Sequence, residues 1–210
     1  MFTWKLTPRP YSDEEAKELL TPLMSPETTE WHYRKHHSGY VVALNTIEKE
    51  LQNVTRDGSN GNYSGFGELK RRQPFNHAGT ILHDVYWMNV GGNGDVSKAP
   101  QLFQKIEEEF GSFEAWKEDM IATGMAAKLG GWAVLTLDTL ISGRLLNILV
   151  DEHQNGALWG GIPIVALDMF EHAYYHQDGP ARPAFINHFF ESLHWERIEA
   201  LYTQHSSSVH

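Results

Sequence analysis

The chain has 210 residues, a formal net charge of −10, 12% aromatic residues and no cysteine. Its length and aromatic content exclude a disordered chain and allow a buried core in one or two domains. The lack of cysteine excludes disulfides, thiolate zinc sites and iron–sulfur clusters, so imidazole and carboxylate are the strong metal ligands left.

Ser12 caps a short helix expected over residues 13–23, with Asp13, Glu14 and Glu15 in its first turn. Ser25, followed by Pro26, starts a longer helix that runs to about residue 51. A Gly/Asn/Ser-rich loop follows at 57–67, then a helix over 66–89 that the internal Pro74 should kink or split. Gly91-Gly92-Asn93-Gly94 reads as a linker. Helices are expected at 98–109 and, capped by Ser112, at 112–128. Val/Ile/Leu-rich strands follow at 132–137, 145–150 and 162–167. Further helices are predicted at 169–176, 181–192 and 195–203, with a frayed tail from His205 to His210. The predicted fold class is α+β: a long N-terminal helical hairpin (1–92), then a C-terminal domain (93–210) with a three-stranded antiparallel sheet and helices.

Three segments share one kind of chemistry: His32-x-x-x-His36-His37-x-x-Tyr40, His83-x-x-x-Trp87, and Asp168-Met169-Phe170-Glu171-His172-Ala173-Tyr174-Tyr175. Together they offer three separated imidazoles and one carboxylate, enough to hold one redox-capable transition metal with a position left open. Asp168 and His172, four apart, share a face if that segment is helical; so do His32, His36 and Tyr40. Each motif alone has a bland reading. An HxxxHH run is usually a polar stripe on a solvated helix, and His83 beside Trp87 is usually a satisfied core histidine. A buried Asp168, by contrast, needs a partner or protonates.

Taken in order with Gly130-Gly131-Trp132, these segments resemble the iron/manganese superoxide dismutase family from about Tyr11 to Tyr202. The resemblance implies superoxide as substrate, a helical hairpin followed by a domain with a three-stranded sheet, and one Fe or Mn ion per chain. It places the ligands on His32, His83, Asp168 and His172. It puts an entrance pair on His36 and Tyr40, with His37 beside them. It also implies a homodimer or tetramer in which Glu171 reaches the partner's ligand histidine and Tyr175 reaches the partner's His36. The phenol of Tyr40, ionising near pH ~10, would then repel superoxide in alkali.

The sequence departs from the family around the metal. The Gln that many iron enzymes carry four residues before the second ligand is Gly79 here. At the end of the second strand, where many manganese enzymes supply a Gln, the chain reads Glu152-His153-Gln154. His153 matches archaeal-type members and favours iron; Gln154 is the rival for holding metal-bound solvent. Phe170 replaces a Trp, and Val134 stands where a second Trp is often found. Tyr40, His36 and His153 are thus the expected catalytic relay.

Other readings compete. A non-catalytic scaffold of the same fold should have lost ligands. A two-His-one-carboxylate oxygenase needs more open positions and an organic pocket. Glu191-Ser192-Leu193-His194 is a single ExxH match where a di-iron bundle needs two. Asn53-Val54-Thr55 and Asn62-Tyr63-Ser64 fit glycosylation sites, but Met1-Phe2-Thr3-Trp4-Lys5 lacks a signal-peptide core or basic transit sequence. A cytoplasmic protein without nucleic-acid or membrane partners is expected, since the balance is acidic and no apolar run approaches ~18–20 residues. Arg34, Lys35 and Arg182 are the candidates for steering an anion towards the site.

Overall fold

A computed structural model describes residues 2–128 and 130–206; the expectation for His210 lies outside them. Helix α1 spans Asp13–Leu19 and starts with a reciprocal cap. Glu15 N donates to Ser12 Oγ, and the Glu15 carboxylate accepts from Ser12 N. Helix α2 (Pro26–Trp31) begins as expected, with Ser25 accepting from Thr28 N. It does not continue as a plain α-helix. Residues His32–His37 form a π-helical turn before α3 (Ser38–Asn53) resumes the α geometry. Such wide turns gather at functional sites.

Helix α4 (Gly65–Asn89) runs through Pro74 as a single helix of 25 residues, so the expected split does not occur. Pro74 is exposed, while the turns after it bury Asn76, Gly79, Thr80, Leu82 and His83. The helix is held by packing along its length against α3 and the sheet, which outweighs the loss of one backbone donor.

After a 3₁₀ turn (Val96–Lys98), α5 (Pro100–Phe110) and α6 (Phe113–Ala126) lead into strands β1 (Gly131–Asp138), β2 (Leu145–Asp151) and β3 (Gly161–Asp168). The sheet is antiparallel in the order β2-β1-β3, and every residue of the central β1 is buried. Continuous apolar runs rather than alternation are what a strand covered on both faces requires. Helices α7 (Glu171–Asp178), α8 (Arg182–Glu191) and α9 (Trp195–Ser206) close the fold.

The hairpin and the sheet share one hydrophobic core, running from Tyr11 and Leu20 through Trp87 to Trp132, Ile164 and Phe189. Asn89, at the end of α4, fastens them together. Its side chain donates to Ile164 O (3.0 Å) and accepts from Ala166 N (2.8 Å), both on β3. The glycine segment after it is strapped down rather than free: Gly92 N bonds Ser192 O and Gly94 N bonds Leu193 O. A Cβ at Gly92 would stand 2.3 Å from the Leu193 carbonyl oxygen, so the close approach requires glycine.

Candidate metal centre

Four elements deliver one side chain each to a single point. The π turn supplies His32, the middle of α4 supplies His83, the last residue of β3 is Asp168, and the first turn of α7 carries His172. One ligand atom from each lies within 4.8 Å of the other three. The Nε2 atoms of His32, His172 and His83 stand 3.1, 3.2 and 3.6 Å from Asp168 Oδ2. His32, His83 and Asp168 are fully buried, and His172 nearly so. Asp168 Oδ1 accepts from Phe170 N at 2.9 Å, which fixes the carboxylate at the strand-to-helix corner.

The chemistry of this donor set fits a cation. His83 Nδ1 lies 2.7 Å from the Gly79 carbonyl, which can only accept, so Nδ1 carries the proton. His83 Nε2 therefore presents a lone pair to a carboxylate oxygen, and it has no hydrogen-bond partner among the described residues. Two buried acceptors facing each other need a positive charge between them. The titration directions agree. Burial drives His32 down to about 4 against its hydrogen bond to the Asp168 carboxylate, and holds His83 well below the usual imidazole range. Burial alone would raise Asp168, but the neighbouring His172 and His32 outweigh it and hold the carboxyl well below its usual range. His32 and His83 are thus held neutral beside one carboxylate, the protonation state a metal requires of them.

The expected single stripe of His32, His36 and Tyr40 is modified by the π turn. The His36 ring stacks on His172 with centroids 3.9 Å apart. His37, expected beside the entrance, is instead buried. Its ring stacks on His83 at 5.4 Å, and its Nε2 lies 3.3 Å from Asp84 Oδ1. The wider turn rotates both side chains away from the positions a 3.6-residue period would give.

Tyr40 lies over the site, its ring centroid 5.2 Å from His83 and 4.5 Å from His153. Burial first, and Asp168 second, push its phenol above the ordinary value, so the ionisation near pH ~10 expected from the sequence moves higher. His153 is buried and stacks on Phe170 at 4.6 Å. The Trp132 indole donates to His153 Nδ1 (3.0 Å), so the neutral ring carries its proton on Nε2, which has no partner among the described residues. Burial holds this imidazole down at about 4. Gln154 turns outward and donates to Glu152 Oε2 at 2.9 Å. Of the two rivals, the fold brings His153 to Tyr40.

Phe75 and Tyr86 escaped the sequence reading, and so did the contact that Gly79 makes. Phe75 packs 4.7 Å from His153, Tyr86 lies 4.9 Å from His32, and Gly79 abuts Tyr40. Phe75, Gly79 and His83 are four apart, and that shared helix face was the available signal. Two of the three expected steering cations are engaged elsewhere. Arg34 pairs with Asp13 and Glu30, and Arg182 donates to the carbonyls of Gly124 and Ala127; Lys35 is exposed. Glu171 is exposed and Tyr175 is 54% exposed.

Comparison with known proteins decides the family. Residues 3–91 match the alpha-hairpin domain of iron/manganese superoxide dismutases, and residues 98–201 match their C-terminal domain. The chain belongs to the iron/manganese superoxide dismutase family. A manganese superoxide dismutase of Haloferax volcanii is 41% identical over 204 residues, covering 97% of each chain. One from Haloarcula marismortui is 40% identical over 198 residues, 94% of this chain and 93% of the relative. An iron superoxide dismutase of Aquifex pyrophilus is 39% identical over 193 residues, 88% of each. As a member, the chain is an oxidoreductase that disproportionates superoxide to oxygen and hydrogen peroxide, with Fe or Mn as its cofactor. No described helix is long and apolar enough to cross a membrane.

Proposed function

We propose that His32, His83, Asp168 and His172 together hold one Fe or Mn ion per chain, and that superoxide reacts at the position they leave open. The buried His83 lone pair facing Asp168 carries this reading. The bound ion supplies reversible one-electron chemistry between +3 and +2, which separates the meeting of two like-charged substrates into two encounters. The residues supply the rest. Asp168 places one fixed negative charge among neutral imidazoles, which favours the more highly charged ion. Tyr40 stays protonated across the neutral range and offers an O–H to the incoming anion or to solvent. His36, stacked on His172, walls the approach. His153 serves as an Nε2–H donor locked by Trp132. With its imidazole held at about 4 it stays neutral, so it orients solvent rather than delivering a cationic proton.

Iron is the proposed resident ion, with manganese accepted. His153 in place of a glutamine supports iron; the names of the haloarchaeal relatives support manganese. We further propose a homodimer or tetramer with Glu171 and Tyr175 at the interface, a division into units 1–92 and 93–210, and a cytoplasmic location. The exposure of Tyr175 and Glu171 beside His172 supports the interface. The test is to strip the metal, reload with each ion, and measure ions per chain together with superoxide consumption. Activity restored by neither ion, or binding that survives loss of any one of the four side chains, overturns the reading. Sedimentation at micromolar concentration tests the assembly, which a fully active monomer contradicts.

A further inference from the structure

We propose that Trp87 and Tyr33 form a conduit that carries oxidising equivalents from the metal centre to the protein surface, sparing the ligands. The proposal rests on the reading of His32 as a ligand. The His32 ring lies 4.9 Å from both Trp87 and Tyr86, centroid to centroid. Trp87 and Tyr86 are 5.1 Å apart, and Tyr33 follows 5.7 Å from Trp87. The Tyr33 hydroxyl donates to the carbonyl of Thr7 (2.9 Å), and Thr7 is exposed. The most readily oxidised side-chain types thus stand in ring-to-ring series from a buried imidazole to Tyr33, which is 7% exposed and one hydrogen bond from the exposed Thr7.

Packing does not account for the polar ends of Trp87 and Tyr86, although the Tyr33 hydroxyl is paired. The Trp87 Nε1 and Tyr86 hydroxyl are buried without a hydrogen-bond partner among the described residues. A buried donor left unpaired is costly, and an apolar ring of similar size would avoid the cost. What indole and phenol offer beyond apolar volume is a readily lost electron.

The oxidant is the reaction's own product. Hydrogen peroxide that takes one electron from the reduced centre leaves hydroxide and a hydroxyl radical. That radical becomes water by gaining one electron and one proton: the electron comes from Trp87, and the proton from solvent in the site. Trp87 recovers its electron from Tyr33. The Arg9 guanidinium, 4.4 Å above the Tyr33 ring and 5.6 Å from that of Trp87, disfavours a second positive charge on either ring, most on Tyr33. Tyr33 therefore gives up its phenolic proton as it loses the electron, along its hydrogen bond to the Thr7 carbonyl and on to the solvent around exposed Thr7, leaving a neutral phenoxyl. A small thiolate at the surface then returns an electron while solvent returns the proton, and the thiolate leaves as a thiyl radical.

The test treats iron-loaded protein with hydrogen peroxide, freeze-quenches it for electron paramagnetic resonance, and maps oxidised residues by mass spectrometry. Iron per chain is measured first. In the wild type a tyrosyl signal is expected, and fluorotyrosine placed at 33, which keeps the ring, should change its hyperfine pattern. Tyr33→Phe should replace that signal with a tryptophanyl one and raise oxidation at Trp87 several-fold. It should also lower the peroxide needed to release iron, while superoxide turnover without peroxide stays unchanged. Trp87→Phe should abolish the Tyr33 signal. A tyrosyl signal insensitive to fluorotyrosine at 33, one residing on Tyr40, or a damage map identical in Tyr33→Phe overturns the conduit alone. A chain that retains no iron or manganese overturns the site reading and the conduit with it.

Discussion

The ring of Tyr40 rests against the bare Cα of Gly79: a Cβ built on Gly79 would lie 2.9 Å from Tyr40 Cγ. The near end of the ring, not a mobile tip, would have to give way. A glutamine here, the arrangement of many iron enzymes, is therefore incompatible with Tyr40 and His153 as this chain places them. Gly79→Ala gains about 1 kcal/mol of helix propensity and loses about 1–3 kcal/mol to overpacking. The expected result is a melting temperature lower by a few degrees, with activity reduced further because Tyr40 shifts. A variant that melts higher and keeps full activity would show that the ring moves freely.

His153 and Gln154 make a paired prediction. His153→Ala should retain close to one metal ion per chain but lose about 10–100-fold in activity, the usual effect of removing a group that orients metal-bound solvent. Gln154→Ala should change activity less than about 2-fold, because its amide bonds Glu152 at the surface. Metal content and superoxide assays on both variants decide; the reverse pattern would place Gln154 at the metal-bound solvent.

The buried imidazoles couple folding to acid. His32 sits at about 4 in the folded chain, below the ordinary 6.5 it recovers on unfolding, and His83 is also lowered. Between those values the unfolded chain binds protons that the folded chain refuses. The metal-free protein should therefore lose stability as pH falls from about 6.5 to about 4, by about 1.4 kcal/mol per pH unit for each fully buried imidazole. Below that range Asp168, lowered in the folded state, adds a further loss as unfolded carboxyls protonate. Urea titrations of metal-free protein across this range check the slope; a flat profile would contradict it.

Glu152 is the one non-glycine residue with a positive φ (56°) among the described residues, and it directly precedes His153. Its side chain adds strain to a left-handed turn, while its backbone N bonds Gly130 O. Glu152→Gly should stabilise the fold by about 1 kcal/mol, or roughly 2–4 °C in melting temperature. Glu152→Val should cost more than that. Thermal melts of the pair check it.

The order of helices and strands was readable because caps and apolar runs are local signals: Ser12, Ser25 and Ser112 all act as caps. The clustering of His32, His83, Asp168 and His172 was readable because three spaced motifs converge on one chemistry. The π turn was not, since an i, i+4 pattern of His32 and His36 fits either helix type until tertiary packing chooses. The burial of His37 followed from the same choice. The split offered at Pro74 failed because the sequence shows the missing donor but not the long-range packing that keeps α4 one helix through it. Asn89 was invisible because an amide gives no sign in sequence of bridging to strand residues 75 and 77 positions away.

His32 and Asp168 touch across 136 positions of sequence. A chain still leaving the ribosome presents His32 and His83 well before β3 and α7 exist, and two imidazoles alone make a weak, unselective grip. The full pocket forms only once synthesis has passed His172 and the ends have been brought together, at the loop-closure cost of a long intervening segment. Whatever ion is seated then comes from the pool around a nearly finished chain. An ion held as proposed would be a clasp between the earliest and latest parts of the protein to be made, so metal supply in the cell would govern how much enzyme accumulates as well as how much of it works.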